Sequence, residues 1–309
     1  MKKIIFNLSF LIFSLNFFVS CVVGSFLQEP LYLGLQDSCG FIVNQYSGEG
    51  LRWDKSKFPV KFFIHESVPL EAEKNFISAT DHWNVEWSHF LEKKGLEPFD
   101  LFVVDTKGVY QGMATNDKNN LFIFIKDNFS KYDSPNSQGI TAFNSQSKEI
   151  IDTDILINNA NFKFYYDKRY NNKISLVKRE LEKERRIASL KTPSLWFQIK
   201  EHLKRLSLNL LKFFKKEREF DRKIADSRTN IPRDKVDFVS LIIHELGHVP
   251  GRAHFEKDSS HSQIYSSRVG TQKNIKNSSV MEPMLSKGVS RRNISQLDLD
   301  SLFCAYYNY

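Results

Sequence analysis

Residues 244–254 read His-Glu-Leu-Gly-His-Val-Pro-Gly-Arg-Ala-His, and this stretch restricts the fold more than any other. His244 and His248 stand four positions apart, so on a helix they share one face and can grip one metal ion. Glu245 lies between them, beside the metal but not required as a ligand. Gly251 suits the backbone shape that stops a helix and turns the chain. His254 then returns as a third imidazole. Three neutral nitrogens on Zn²⁺ leave a fourth position open, as hydrolytic chemistry requires. The chain must therefore supply a helix with one buried flank, a sharp turn after it, and a floor beneath three converging rings. A bare His-Glu-x-x-His recurs by chance in helices that bind nothing; the longer pattern is far more restrictive.

The flanking sequence is read by periodicity. Pro59 to His65 is a short apolar strand, and Glu71 to Lys93 carries Phe76, Ala79, Trp83, Trp87, Phe90 and Leu91 at helical spacing. Acidic residues open that helix and Lys93-Lys94-Gly95 closes it. Leu101–Val104, Leu121–Lys126, Gly139–Asn144 and Ile150–Asn158 read as further strands. Val236–Val249 reads as the helix carrying His244, with Phe238, Leu241, Ile242 and Leu246 on its buried side. Ser290–Tyr307 reads as a last helix. His82 and His89 read as packed or solvated, and Arg252 as an exposed, solvated charge.

With 309 residues and 41% hydrophobic content, the chain exceeds what one domain needs. Part of the excess is the N-terminus. Lys2 and Lys3 precede an apolar run to Val19, too short and interrupted for a membrane span but suited to an export signal. Phe18-Val19-Ser20-Cys21 resembles a bacterial lipobox, which implies lipidation of Cys21; Phe18 stands where Leu is usual. The chain is therefore expected outside the cytoplasm, as an outer-membrane lipoprotein or surface protein, otherwise periplasmic or secreted. The two cysteines left, Cys39 and Cys304, suit a disulfide in such a compartment.

The rest of the excess lies in 168–235, which holds 21 Lys and Arg against 9 Asp and Glu; the remainder of the chain is slightly acidic, although the whole carries +8. Trp196, Ile199, Leu203, Leu206, Leu210 and Phe213 form an apolar stripe at helical spacing, flanked by Lys200, Lys204, Arg205, Lys212, Lys215 and Lys216. Three readings stay open: a helical hairpin packed on itself or on the main body, a helix lying on an anionic membrane, or a lid or partner-docking element. Nucleic acid is not an expected partner of an exported protein.

The eleven-residue pattern resembles the zinc signature of the metzincin metalloproteases, and the chain is similar to bacterial proteins of the matrixin (matrix metalloprotease) type. Downstream, Ser279-Val280-Met281-Glu282-Pro283 resembles the methionine turn of that family, with Met281 as its methionine. Trp83-Asn84 resembles its first helix, and the Asp298-x-Asp300 ending its last. The resemblance implies an α+β fold: a mixed twisted sheet, a first helix, the active-site zinc helix, a Met turn and a C-terminal helix, here with a helical insertion. It divides the chain into a signal (1–20), a tether and lead-in (21–54), an upper subdomain (55–167), the basic insertion (168–235), and the zinc helix, Met turn and last helix (236–309).

It further implies one catalytic zinc on His244, His248 and His254, Glu245 as general base, and a peptide substrate paired along an edge strand, for which Gly139–Phe143 is the candidate. It offers two roles for Cys39. One is a bridge to Cys304, because the start of such a domain and the end of its last helix lie close together; a loop of that length contributes about 3–4 kcal/mol. The other is a zinc-capping switch, since matrixin prosegments use Cys-Gly, although Ser38 stands where Arg is usual. Phe255 replaces the Ser that generally follows the third His, and the His-rich loop of a structural zinc is missing before residue 150; calcium is left open. The expected activity is zinc-dependent hydrolysis of peptide bonds. The alternative is a lipid-anchored surface protein whose basic insert binds membrane or a protein partner.

Overall fold

The computed structural model describes residues 36–44, 48–110, 118–189, 231–254, 279–283 and 285–307. The export signal, Cys21 and the apolar stripe from Trp196 to Phe213 lie outside the described residues. The fold is mixed α and β. Five strands form one sheet: β1 (Val60–His65), β2 (Phe102–Tyr110), β3 (Asn120–Ile125), β4 (Gly139–Gln146) and β5 (Glu149–Asn158), in the order β2-β1-β3-β5-β4. All neighbours are parallel except β4, which runs antiparallel to β5 at the sheet edge.

The central strands explain their own depth. In β3, Phe122 and Phe124 face the main core, while Leu121, Ile123 and Ile125 face a smaller cluster with Phe129 and Leu156 on the opposite side of the sheet. A strand apolar on both faces has to be covered twice.

Helix α1 (Leu70–Lys93) covers the main face. Phe76 stacks on Phe122 with ring centroids 4.0 Å apart, and Trp83, Trp87, Phe90 and Leu91 are buried. The helix stops where Gly95 takes φ +73°, with Gly95 N donating to Glu92 O at 3.0 Å and Leu96 N to Leu91 O at 3.0 Å. This double closure satisfies carbonyls that would otherwise be orphaned. Asn84 fastens the start of β2 by donating to Phe102 O and accepting from the amides of Leu101 and Phe102.

A two-stranded parallel pair, β6 (Phe164–Tyr165) with β7 (Val236–Asp237), joins the two ends of the basic segment. Residues 236–237 are thus strand rather than helix, because Val236 N is taken by Lys163 O. The helix that follows, α3, is Phe238–His248. Between the paired strands the segment starts as helix α2 (Lys168–Ser189), and its first part is no loose appendage. Tyr170, Ile174 and Leu181 are buried, Lys178 pairs with Asp81 at 2.7 Å, and Arg185 pairs with Glu92 at 3.2 Å on α1. Arg292 ties the entry and exit of the segment together, at 2.6 Å from Asp167 and 2.5 Å from Asp237.

Two further differences from the sequence reading have clear causes. The last helix, α4, is Gln296–Tyr307 rather than Ser290–Tyr307. Ser295 caps it reciprocally: Ser295 N donates to Asp298 Oδ2 at 2.8 Å and Asp298 N donates to Ser295 Oγ at 3.3 Å. The lead-in is part of the body from Gln36 onward. Phe41, Ile42, Leu51 and Trp53 are buried, Phe41 forms a bridge with Arg252, and Cys39 is disulfide-bonded to Cys304 on α4.

Candidate metal centre

Helix α3 is set from three sides. Trp83 Nε1 on α1 donates to Ile243 O at 3.0 Å, and Trp53 Nε1 donates to Val249 O at 2.9 Å. Beneath, Gly247 packs on Met281, whose side chain is fully buried; a β-carbon on Gly247 would overlap the Met281 sulfur. Gly251 then turns the chain at φ +103°, and a β-carbon there would overlap the Leu51 carbonyl. Glycine is required at 251 for both its backbone angle and its contact. The lead-in strengthens this turn, with Ile42 N donating to Gly251 O and Ala253 N to Gly40 O.

The helix and the turn bring the three motif histidines together. His244 Nε2 lies 3.1 Å from His254 Nε2 and 3.2 Å from His248 Nε2. The His244 Nδ1 is 2.7 Å from Val280 O, and His248 Nδ1 is 2.7 Å from Arg252 O. A carbonyl only accepts, so each of these Nδ1 atoms carries the proton and each Nε2 is a bare lone pair. Loss of water around the rings pushes their basicity down: His244 to about 3, His254 to about 4, and His248 well below the usual value. For His244 and His248 the neighbouring His254 adds to the effect. The rings are therefore neutral at pH 7.

Bare lone pairs this close repel one another unless a cation lies between them. Zn²⁺ with nitrogen ligands at about 2.0–2.1 Å in a tetrahedron places them ~3.3 Å apart, near the separations seen here. Among the described residues this is the one group of three or more potential ligands gathered tightly enough to hold a metal ion. The donor set of three imidazoles thus fits a metal ion.

Glu245 is 3% exposed. Its Oε2 accepts from Thr141 Oγ1 at 2.8 Å, and the same hydroxyl lies 3.0 Å from the Glu245 carbonyl. Burial raises the carboxyl to about 7, against the pull of the Thr141 bond, with Asp133 adding a like charge. Thr141 sits on edge strand β4, and a β-carbon on Gly139 of that strand would come 3.2 Å from Glu245 Oε1. The edge strand, the glutamate and the histidines are thereby one unit. Gln138 Nε2 closes it by donating to Leu285 O at 2.8 Å, linking the start of β4 to the chain after Met281.

Arg252 is the correction here. The sequence reading left it in solvent; it is 4% exposed and pairs with Asp298 at 3.0 Å, with Nε donating to Ser301 Oγ at 3.2 Å. The turn that brings His254 back folds residue 252 inward, against the bridge with Phe41. Asp298, fully buried, also accepts from Ser279 Oγ at 2.5 Å and Val280 N at 3.3 Å. The bond between Cys39 and Cys304 leaves no Cys39 thiol to cap a metal. His82 lies apart from the metal ligands and shares a bond of 2.8 Å with Tyr170.

Thr141, Asp298 and the inward role of Arg252 escaped the sequence reading. The Asp298-x-Asp300 ending was noted in the sequence, but not the role of Asp298 as an acceptor beneath the histidines. No local signal marks Thr141, because its partner is distant in sequence. No protein family, curated protein or solved structure matches the chain.

Proposed function

We propose that this chain is a zinc-dependent endopeptidase of the metzincin type, similar to bacterial matrixin-like proteases. The observation that carries the reading is the convergence of three imidazole Nε2 atoms, with those of His254 and His248 at 3.1 and 3.2 Å from that of His244, beside a buried glutamate. The mixed sheet with one antiparallel edge strand, and the buried Met281 under the zinc helix, support the same assignment. The signal and Cys21 motif support an exported, lipid-anchored protein.

His244, His248 and His254 would hold the ion, each as a neutral ligand. Zinc, when bound, supplies Lewis acidity toward a water molecule and toward the scissile carbonyl. Glu245 takes the proton of the attacking water. A carboxyl poised near 7 can accept that proton and then release it to the leaving amine. Thr141 keeps the carboxylate turned toward β4. The exposed edge of β4 lines up an extended substrate chain through main-chain hydrogen bonds, which places a peptide bond rather than a side chain at Glu245.

The test is zinc content together with cleavage of a peptide library, for the wild type and Glu245→Ala. General acid–base catalysis contributes roughly 10²–10⁴-fold, so the variant is expected to keep its zinc and lose at least a hundredfold in kcat. Unchanged cleavage by Glu245→Ala overturns the mechanism. A wild type that holds no zinc and cuts no peptide favours the binding-protein alternative.

A further inference from the structure

We infer that Arg252 and Asp298 are positioning residues for the metal ligands: one buried ion pair locks the two carbonyls that orient His244 and His248. The inference rests on the zinc reading above and goes beyond it, to residues that are neither ligands nor the general base.

The geometry converges on this pair from both sides. The Arg252 carbonyl accepts from His248 Nδ1 at 2.7 Å, while its guanidinium reaches Asp298 Oδ1 at 3.0 Å and Ser301 Oγ at 3.2 Å. One residue thus orients a ligand through its main chain and is itself anchored through its side chain. On the other side, Asp298 receives Ser279 Oγ at 2.5 Å and Val280 N at 3.3 Å, and the Val280 carbonyl accepts from His244 Nδ1 at 2.7 Å. Two of the three ring orientations therefore trace to a single contact between the turn and α4. The main chain of the third histidine is held separately, with Gln36 Nε2 donating to the His254 carbonyl at 2.7 Å.

A stability role alone accounts poorly for the pair. It is buried at 4% and 0% exposure, and the Arg252 Nη1 atom has no hydrogen-bond partner among the described residues. Buried ion pairs can commonly be replaced by apolar side chains without loss of stability. What apolar side chains cannot supply is the fixed direction of two carbonyls that each orient an imidazole. Partners of metal-bound histidines typically govern 10–100-fold in metal affinity.

The experiment measures zinc affinity, by competition with a chelating dye, on the full mature chain. The proteins are the wild type, Arg252→Met, Asp298→Leu and the double variant; thermal unfolding of each metal-free protein runs in parallel. Each single variant buries a lone charge or empties its partner's pocket, so both are expected to lose stability. The double variant buries no lone charge and is expected to unfold at a higher temperature than either single. Its zinc affinity is nonetheless expected to stay 10–100-fold below the wild type, with a shifted visible spectrum of the cobalt(II) form. Should the single variants not fold, the double is read alone. Wild-type affinity and an unchanged cobalt spectrum in the double variant would reduce the pair to a structural plug and overturn the inference. A wild type without zinc affinity defeats the metal reading itself, an outcome distinct from a wild type that binds while all variants match it.

Discussion

Glu245 and Asp298 are both buried carboxylates in the half of the molecule that carries the histidines, yet their surroundings are opposite. Asp298 accepts from five donors: Arg252 Nη2, Ser279 Oγ, Val280 N, Ser295 N and Ser295 Oγ. Glu245, among the described residues, accepts from Thr141 Oγ1. Burial with few compensating donors disfavours the charged form of Glu245. The difference separates two tasks. A carboxylate saturated with donors fixes geometry and has no capacity left for chemistry. A carboxyl starved of donors, raised to about 7, can take and return a proton near neutrality. The side of the histidine cluster at Asp298 is rich in donors, and the side at Glu245 is poor in them.

The contrast is most exposed to failure at Asp298. Asp298→Ala leaves the Arg252 guanidinium buried without its partner, and breaking a buried pair in this way costs about 3–5 kcal/mol. Chemical denaturation of the metal-free protein is expected to show a loss of that size; a loss below ~1 kcal/mol would remove Asp298 from its place as the hub.

Glu245→Gln is expected to act in the opposite direction. A carboxyl raised from 4.5 to about 7 in the fold contributes stability below pH 4.5 that is lost as pH rises through 7. At pH 8 the ionised, buried group therefore costs up to ~3 kcal/mol, which the neutral amide avoids. The metal-free Gln variant should unfold at a higher temperature than the wild type at pH 8, with the gap closing toward pH 4. A gap that is constant with pH contradicts the assigned titration.

Two smaller effects sharpen the same picture. Gly247→Ala places a methyl group against Met281 in a filled floor, where overpacking costs typically ~1–3 kcal/mol. Shortening Met281 in the same protein should recover part of that loss in a melting experiment; additive losses would show that the two do not touch. Thr141→Val removes the Thr141 bond to Glu245 while keeping the shape of β4. A hydrogen bond to a charged group contributes ~1.5–3 kcal/mol, so kcat is expected to fall roughly tenfold or more with KM little changed. Because that bond holds the Glu245 carboxyl down, its loss should move the acid limb of the kcat profile to higher pH. A limb that stays put would detach Thr141 from Glu245.

Much of the frame was legible because it follows from local periodicity. The α1 stripe and its glycine stop, the strands around Phe62, Phe122 and Ile155, and the spacing of His244, His248 and His254 each need only neighbouring residues to be recognised. The errors occur where a partner distant in sequence intervenes. Val236 looked like the first turn of a helix until Lys163 took its amide. Residues 290–295 are the exception: there a local cap between Ser295 and Asp298 starts the helix later than the apolar spacing suggested. The lead-in looked like a tether because its few apolar residues show no period. Its burial depends on the turn at Gly251, which accepts Ile42 N, and on Cys304.

By itself the sequence determined which three histidines and which glutamate lie on and just after one helix, because a motif of this kind is written in side-chain chemistry at fixed local intervals. Tertiary structure decided what each of those groups can do. It alone turned Arg252 inward, gave Asp298 five donors and Glu245 one among the described residues, and set the two carbonyls that turn His244 and His248 toward one point. The physical reason is that protonation and orientation depend on which water is excluded and which donors remain, and those are properties of packing between segments far apart in the chain.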